Sequence, residues 1–308
     1  MKIKQCILTK NKCYIKGDKI SKVVGIVVHS TGSNNKNLKR YVQPLETDAD
    51  YDAIIADIGK NKYGNHWNRG GLLKKCVHAF IGVNAKGVLE TYQTLPWDMC
   101  CWGCGSGKNG SFNYNPTAHI QFEICEDNLK DESYFKTTMK AAQELCAYLC
   151  DKFGLSADTI VCHKEANRKG YANNHKDIEH WLKNFGKTMD WFRDEVSKIL
   201  ERNSAYVPTV KEWQDAAIAD GYDFPKYGAD GKWGNECEKV AKKAICKKQS
   251  RGYKNQNLTK IVQKVVGVDP DGKFGKNTEK AVVYYQNTHE LSADGIVGSN
   301  TWKAMLKV

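Results

Sequence analysis

The sequence predicts an α/β fold with a central mixed β-sheet flanked by helices, followed by a small all-α repeat domain. The first observation is a run rich in Val and Ile at residues 23–31, typical of a strand buried on both faces. The second is a pair of later strand patterns, at 118–127 and 159–166. The third is a change beyond residue 209, where short helical segments follow repeated Asp-Gly turns.

Length and composition set the broad class. At 308 residues the chain can form two domains, and we predict one over 1–200, a linker at 201–209 and a second over 210–308. No apolar run approaches the length of about 18 residues that a membrane span needs. The N-terminal segment interrupts each apolar patch with Lys and lacks the apolar core of a secretory signal. We therefore expect no transmembrane segment and synthesis in a cytoplasm without a signal peptide.

The charge balance limits the partners. A formal net charge of +12 attracts polyanions, of which nucleic acid and an anionic cell wall are two. No nucleic-acid motif and no basic block interleaved with aromatic residues occurs in the sequence. We expect no nucleic-acid partner, and much of the charge can simply be a solvated Lys-rich surface.

The segment at 23–31 is the strand around which the first domain is expected to form. It leads directly into His29, and open α/β sheets place ligands and chemistry at the carboxyl ends of their strands. The preceding residues 1–20 predict a short hairpin or an irregular lead-in. Residues 48–62 predict a helix, and 76–97 predict two strands around the turn at 84–87.

The segment at 98–117 is a long loop rich in Gly and Asn. A loop of this length is uncommon unless it has a function, so we expect it to border the cleft. The next segment, 118–127, alternates as only a strand does. Its apolar residues are Ile120, Phe122 and Ile124, whereas His119, Gln121, Glu123 and Cys125 share the other face. If the apolar face packs on helices, Glu123 points toward the cleft.

The clearest helix follows this strand. Ser133 is a candidate N-cap, and Gly154 is a candidate C-terminal residue in the left-handed conformation. The apolar stripe comprises Phe135, Met139, Ala142, Cys146, Leu149 and Phe153. The strand at 159–162 then leads into His163, and residues 163–181 are predicted to be mostly loop before a last helix at about 188–201.

The C-terminal third contains an internal repeat. The segments at 228–244 and 268–286 both contain Asp-Gly-Lys-aromatic-Gly followed by a helix, and a shortened form returns at 293–306. Asp-Gly suits a tight turn, and Asn277 or Thr278 can cap the helix behind it. These repeats contain no obvious catalytic group.

The twelve cysteines are expected to be reduced, because the chain is long and carries no secretory signal. Cys146 and Cys150 suit a helix core. Cys100, Cys101 and Cys104 resemble half a zinc knuckle, but no second half follows. We therefore expect a loop with partly buried thiols there rather than a structural zinc site.

The histidines predict a metal site. A hydrolytic zinc site needs about three protein ligands and one open position for water. His29 and His163, each at the end of a strand, are the natural nitrogen ligands. His175 and Asp177 both compete for the third position, and spacing alone does not decide between them.

Four motifs in order resemble one family. VVHST, the HAFIGVNAKG hairpin, IQFEICED and the CHKEA…NHKDIEHW segment together resemble the zinc-dependent N-acetylmuramoyl-L-alanine amidases. This is the type-2 group that includes the T7-lysozyme-like phage enzymes and the peptidoglycan recognition proteins. The resemblance covers about residues 20–200 and is nearest to phage endolysins and prophage amidases of Gram-positive hosts. The segment from 206 resembles a peptidoglycan-binding type-1 module, as one full copy preceded by a partial one.

The resemblance implies an activity and a set of roles. Water is added across the amide between N-acetylmuramic acid and L-alanine, at one zinc ion held by His29, His163 and Asp177. His175 occupies the position of the family's catalytic lysine, which is a departure from the family pattern. Glu123 matches a glutamate that some members use as general base. His78 and His119 are expected near the site as spectators, and we expect His66 and His180 to be structural.

The resemblance also implies a partner and a setting. Peptidoglycan of a bacterial wall, that of a Gram-positive host, would be the substrate, and the repeats would hold the enzyme on that insoluble mesh. A phage or prophage endolysin would act on the wall after release from the cytoplasm. The alternatives are a non-catalytic peptidoglycan-binding protein of the same fold, a cytoplasmic muropeptide-recycling amidase and a bacterial autolysin.

Overall fold

The computed structural model describes residues 3–70, 75–204, 206–249 and 252–308. The described residues form two compact units, divided between Ser197 and Lys198. We call residues 3–197 the sheet unit and residues 198–308 the repeat unit. No helix in the described ranges combines the length and the apolar character needed to cross a membrane.

The sheet unit is built on six strands. In chain order they are β1 (Ile3–Gln5), β2 (Gly25–Ser30), β3 (Ala79–Val83), β4 (Leu89–Gln93), β5 (His119–Ile124) and β6 (Ile160–Cys162). Their order in the sheet is β1-β4-β3-β5-β2-β6. All neighbours are parallel except the β3–β4 hairpin, which is antiparallel around the predicted turn. The predicted central mixed sheet is confirmed.

Strand β2 lies between β5 and β6 and is parallel to both. All six of its residues are buried, as the apolar run predicted. The register places His29 beside Glu123 of β5, and Val28 beside Cys162, the residue before His163. Because the carboxyl ends of parallel strands meet at one edge, the side chains of the candidate residues His29, Glu123 and His163 are brought to the same place.

Helices flank this sheet. They are α1 (Lys12–Lys16), α2 (Tyr51–Ile58), α3 (Glu132–Phe153), α4 (His163–Arg168), α5 (Glu179–Asn184) and α6 (Met189–Ser204). The predicted stripe of α3 is buried from Phe135 to Leu149, and Phe153 is partly buried. Gly154 ends α3 with a φ of +64°, as predicted. The N-cap is Asp131 rather than Ser133, because the Asp131 side chain accepts a hydrogen bond from the Tyr134 N–H at 3.0 Å.

Two predicted irregular segments contain regular structure. The N-terminal lead-in forms β1, which pairs in parallel with β4, and then α1. The segment at 163–181 contains α4 and the start of α5, so only its middle part is irregular. Helix α4 forms because Glu165 accepts the Cys162 N–H at 3.1 Å, which satisfies a donor at the helix start.

The predicted linker at 201–209 is shorter than expected. Helix α6 continues to Ser204, and residue 205 lies outside the described residues. Thr209 then caps the next helix, with its side chain accepting the Glu212 N–H at 3.1 Å.

The repeat unit is helical. Its helices are α7 (Val210–Ala219), α8 (Asn235–Ala241), α9 (Gln256–Val265), α10 (Lys276–Thr288) and α11 (Ser299–Leu306). Trp213 of α7 and Trp302 of α11 are fully buried in one core, and their ring centroids lie 6.0 Å apart. The smaller all-α domain of the prediction is confirmed.

A buried glutamine fixes each Asp-Gly turn. Gln263 Oε1 accepts the Gly272 N–H at 2.8 Å, while its Nε2 donates to Asp271 Oδ1 at 2.7 Å. Gly272 has a φ of +78°, a conformation that favours glycine. The same bonds recur at two further positions, Gln214 with Asp230 and Gly231, and Gln286 with Asp294 and Gly295. The repeat unit therefore contains three copies of one glutamine-turn contact.

This contact predicts a stability effect. We expect Gln263→Ala to lower the free energy of unfolding of the repeat unit by about 1–3 kcal/mol, because the buried Gly272 N–H loses its acceptor. Urea denaturation followed by tryptophan fluorescence measures it. Gln256→Ala, at an exposed position of the same helix, is the matched control and should change stability by less than about 0.5 kcal/mol. Equal effects of the two substitutions would contradict the role assigned to Gln263.

Candidate metal centre

A cleft of about 880 Å³ opens at the carboxyl ends of β2, β5 and β6. Its floor carries His29, His163 and Asp177, and part of its wall comes from the loop at 98–117. That loop was expected to border the cleft, and it does so through four residues that line the wall: Trp102, Cys104, Asn113 and Tyr114.

Three buried side chains converge on one point of this cleft. His29 Nδ1 lies 3.0 Å from Asp177 Oδ2 and 3.1 Å from His163 Nδ1. His163 Nδ1 lies 3.6 Å from the same Asp177 oxygen. The candidate ligand atoms all lie within 4.8 Å of one another, and no other group of three such side chains occurs in the described ranges. The structure thus brings together the three residues that the sequence nominated.

The outer nitrogens of both histidines are hydrogen-bonded. His163 Nε2 lies 3.1 Å from the backbone oxygen of Asn173, and a carbonyl oxygen can only accept. Nε2 of His163 therefore carries the hydrogen, and its Nδ1 presents a lone pair to the cluster. His29 Nε2 lies 2.9 Å from Gln121 Oε1, which orients His29 in the same way.

This arrangement is suited to a cation. Two nitrogen lone pairs and a carboxylate face each other within hydrogen-bonding distance, so a positive charge between them would relieve their mutual repulsion. Burial raises the pKa of Asp177, but hydrogen bonds and charge from His163 and His29, in their protonated forms, outweigh burial and lower that pKa below its ordinary value, so a positive charge at this point stabilises the carboxylate. Asp177 is thus a carboxylate. Two imidazoles and one carboxylate form a donor set that fits a divalent transition metal.

Glu123 lies beside this cluster. It adjoins His29 in the sheet, lines the cleft, and has one buried oxygen, Oε2, without a hydrogen-bond partner among the described residues. Burial, followed by the negative charges of Asp177 and Glu126, raises the pKa of Glu123 well above its ordinary value, and Lys75 opposes this only in part. A carboxyl group with a perturbed pKa in a cleft is a candidate for a functional role, which for Glu123 remains a prediction.

His175 lies at the edge of the cluster. Its side chain is 62% exposed, and its Nδ1 is 3.6 Å from Asp177 Oδ1. Its ring centroid lies 5.0 Å from that of His163. Asp177 is buried within the cluster, whereas His175 faces the open cleft. This geometry favours Asp177 over His175 as the third ligand, which remains a prediction.

Sequence reasoning missed several residues of the site. His180, expected to be structural, lines the cleft, and its Nε2 lies 3.0 Å from the buried Glu126. The hydrogen bond to Glu126 raises the pKa of His180, although burial opposes it. Gln121 and Asn173 had been given no role. Gln121 shares the polar face of β5 with Glu123, and that shared face was the available signal.

The other histidines lie outside the cluster. His78 is buried, with Nε2 donating to the Met99 oxygen at 2.9 Å and Nδ1 accepting the Gln121 N–H at 3.0 Å. The His119 ring stacks on Phe112 at 3.8 Å between centroids. His66 is partly buried beside a separate pocket.

All twelve cysteines are free and buried. Cys146 and Cys150 lie in the core of α3, as predicted. Cys100, Cys101 and Cys104 are more deeply buried than expected, and none of them belongs to a group of metal-ligating side chains among the described residues. The expectation that this loop holds no structural zinc site stays a prediction.

The sheet, its cleft and the His-His-Asp cluster define an α/β domain with a candidate metal centre. The sequence model of the N-acetylmuramoyl-L-alanine amidase family matches residues 19–178, more than half of the chain. The chain belongs to this family, which confirms the resemblance found in the sequence. A model of a peptidoglycan binding domain matches residues 252–305, which include the second and third glutamine-turn copies.

Two curated relatives come from Bacillus licheniformis. One, named "Probable N-acetylmuramoyl-L-alanine amidase", is 30% identical over 212 residues, covering 62% of this chain and 50% of the relative. The other, N-acetylmuramoyl-L-alanine amidase CwlL, is 30% identical over 181 residues, covering 54% and 45%. The chain spans about half the length of these relatives. A solved structure of the Staphylococcus aureus hydrolase AmiA, in complex with its ligand, is 20% identical with a TM-score of 0.42, covering 65% of this chain and 84% of that one.

The buried His78 predicts a loss of stability in acid. Burial lowers its pKa to about 4 from an ordinary value of 6.5, despite opposing hydrogen bonds. Because the fold favours the neutral form of His78, this contribution to stability is fully present above pH 6.5. It is lost as the pH falls toward about 4, the pKa of His78 in the folded state. We expect the loss to be about 3 kcal/mol between these limits.

Denaturation at a series of pH values, with chelator present, measures this effect. His78→Gln cannot titrate and should show a shallower loss of stability in acid than the native chain. His289→Gln, in the repeat unit, is the control and should leave the hydrogen exchange of the sheet amides unchanged at each pH. Parallel acid profiles for His78→Gln and the native chain would contradict the assignment.

Proposed function

We propose that this chain is an N-acetylmuramoyl-L-alanine amidase that hydrolyses the amide between the lactyl group of N-acetylmuramic acid and L-alanine in peptidoglycan. The observation that carries the proposal is the buried cluster of His29, His163 and Asp177 in the cleft of a chain of this family. The names of the two relatives from Bacillus licheniformis agree with this activity.

We propose that one zinc ion is held by His29 Nδ1, His163 Nδ1 and a carboxylate oxygen of Asp177. Two imidazoles and one carboxylate are typical ligands of catalytic zinc sites, which leave a further position open. When bound, such an ion lowers the pKa of a coordinated water to about 7 and polarises a carbonyl oxygen. The three proposed ligand residues are buried, and their one accessible side faces the cleft.

Glu123 is the proposed general base. Its Oε2 has no partner among the described residues and can accept a proton from the attacking water. The raised pKa of Glu123 then allows it to return the proton to the nitrogen of L-alanine as the amide bond breaks. One carboxyl group can thus serve both proton transfers.

His175 is the proposed donor to the carbonyl oxygen on which negative charge develops. It is the exposed histidine of the cleft, so a substrate carbonyl can approach its ring. His175 stands where the family pattern has a lysine, so an imidazole N–H would make this contact to the substrate oxygen.

The repeat unit is proposed to bind the cell wall. Its match to a peptidoglycan binding domain and its three glutamine-turn copies support this role. Because peptidoglycan is insoluble, a wall-binding unit raises the local concentration of the catalytic unit at its substrate.

We propose that the protein acts as a phage or prophage endolysin on a Gram-positive wall, after release from the cytoplasm in which it is made. Twelve free, buried thiols fit a chain that folds in a reducing compartment. A bacterial autolysin would carry out the same reaction, and expression timed to host lysis would distinguish the endolysin.

The products of digestion test the reaction. We expect purified peptidoglycan treated with the protein and zinc to release free L-alanine amino termini, with the glycan chains intact, as measured by mass spectrometry. His29→Ala should lose both bound metal and activity. His66→Ala, a histidine of the same unit outside the cleft, is the matched control and should retain both.

Three outcomes would contradict this proposal. New reducing sugar ends would indicate a glycosidase, and no products from metal-loaded protein would indicate a binding protein without activity. Activity on soluble muropeptides but not on intact walls would indicate a recycling enzyme.

Glu123 can be tested separately from the metal. We expect Glu123→Gln to retain zinc and to lower kcat by about 10²- to 10⁴-fold, because the amide cannot accept the proton from water. Metal content and steady-state rates on purified peptidoglycan measure the two effects. Glu90→Gln, on strand β4 of the same sheet, is the control and should keep its rate. An unchanged rate in Glu123→Gln would remove Glu123 from the mechanism.

A further inference from the structure

Both histidines of the cluster make outer hydrogen bonds to side-chain amides, and both amides contact one loop. Gln121 Oε1 lies 2.9 Å from His29 Nε2, and Asn173 Oδ1 lies 3.0 Å from His163 Nε2. The loop at 98–117, which we call the cleft loop, contributes partners to each amide. Neither amide belongs to the cluster itself.

The orientation of Gln121 is fixed from its other end. Its Nε2 donates to Asn113 Oδ1 at 3.0 Å and to the Phe112 oxygen at 3.3 Å. Both partners are acceptors, so the amide nitrogen must face them and Oε1 must face His29. His29 Nε2 therefore donates its hydrogen, and the lone pair of His29 Nδ1 is directed at the cluster.

The orientation of Asn113 is fixed in turn. Its Oδ1 accepts the Cys104 N–H at 3.2 Å, while its Nδ2 donates to the Cys104 oxygen. A chain of oriented bonds thus runs from the backbone of the cleft loop through Asn113 and Gln121 to His29. Every member of this chain is buried.

Asn173 is tied to the same loop. Its Oδ1 accepts the Gly105 N–H at 3.0 Å as well as the hydrogen of His163 Nε2. The backbone oxygen of Asn173 also accepts from His163 Nε2, at 3.1 Å. His163 Nε2 therefore has two acceptors, both on Asn173. His29 Nε2 has one acceptor among the described residues, which is Gln121 Oε1.

Glycines allow this close approach. A Cβ atom at Gly103 would lie 2.4 Å from Gln121 Oε1, and one at Gly105 would lie 2.8 Å from Asn173 Oδ1. Real Cβ atoms essentially never come so close to another atom, so a side chain at either position would displace the amide. The glycines of the cleft loop are thus required by contacts to the two amides.

We propose that Gln121 and Asn173 are positioning residues that direct the Nδ1 lone pairs of His29 and His163 at one metal ion, with the cleft loop holding both amides in place. This inference rests on the proposed function, since it assumes a metal at the cluster. Groups that orient metal-bound histidines typically contribute about 10- to 100-fold in metal affinity. The two residues contribute unequally, because the backbone oxygen of Asn173 remains when its side chain is removed.

The test measures zinc affinity of the full chain by competition with a chelator. Gln121→Met keeps the shape of the side chain but removes the acceptor, and we expect zinc to bind about 10- to 100-fold more weakly. Asn173→Ala should have a smaller effect than Gln121→Met. Gln93→Met, which replaces a buried glutamine on β4, is the matched control and should bind zinc as the native chain does.

A second readout follows the proton directly. In zinc-loaded native protein, His29 Nε2–H should give a slowly exchanging imidazole N–H signal by NMR, and Gln121→Met should lose this signal or exchange it rapidly. Gly103→Ala should weaken zinc binding as well, by displacing Gln121 Oε1 without removing it. Gly70→Ala is its control, because a Cβ at Gly70 meets no atom of the described residues within 4 Å.

The outcomes separate this inference from the proposed function. If the native chain binds no zinc, the proposed metal centre fails and the inference fails with it. If the native chain binds zinc, and Gln121→Met and Gly103→Ala bind it equally well with the His29 signal retained, the positioning role alone is wrong. Should Gln121→Met fail to fold by circular dichroism, Gly103→Ala with its control decides the question.

Discussion

The site depends on the parallel register of β2 with β5 and β6. That register places His29 beside Glu123 and brings the end of β6, and hence His163, to the same edge. A slip of one residue would turn His29 to the opposite face of the sheet, since side chains alternate along a strand. Every residue of β2 is buried, so any slipped register would also misplace apolar side chains on both faces. Packing of the core therefore fixes the geometry of the chemistry.

The cluster depends on a positive charge at its centre. When both imidazoles are neutral, two lone pairs and a carboxylate lie within hydrogen-bonding distance, and they repel one another unless a proton or a metal ion lies between them. Amide contacts on the outer face of each imidazole hold the two rings in this arrangement. A cation that binds this cluster stabilises the folded state by the same interactions that hold it, so metal binding and stability of the sheet unit are linked.

The sequence predicted the parts of the site that lie on regular structure. His29 and Glu123 were found because β2 and β5 have clear strand patterns, and His163 because it follows a buried strand. Spacing could not decide between Asp177 and His175, since both lie in the irregular segment between α4 and α5. No helix or strand periodicity there indicates which way a side chain points. The short helix α4 was missed for a related reason: it is stabilised by the Glu165 contact at its start rather than by an apolar stripe. The polar face of β5 indicated Gln121, but the hydrogen bonds that join Gln121 and Asn173 to the loop at 98–117 leave no signal in a single sequence.

Both units use a buried amide to hold a glycine-containing segment where no strand or helix can. In the repeat unit, Gln263 accepts from the Gly272 N–H and donates to Asp271, so both ends of its amide hold the turn in place. In the sheet unit, Gln121 donates to the cleft loop in the same way, but its oxygen faces His29. An amide suits this task because it carries a donor and an acceptor at a fixed separation, and fixing one end orients the other. A buried amide of the kind that fixes a turn in the repeat unit therefore orients the imidazole of His29 in the sheet unit.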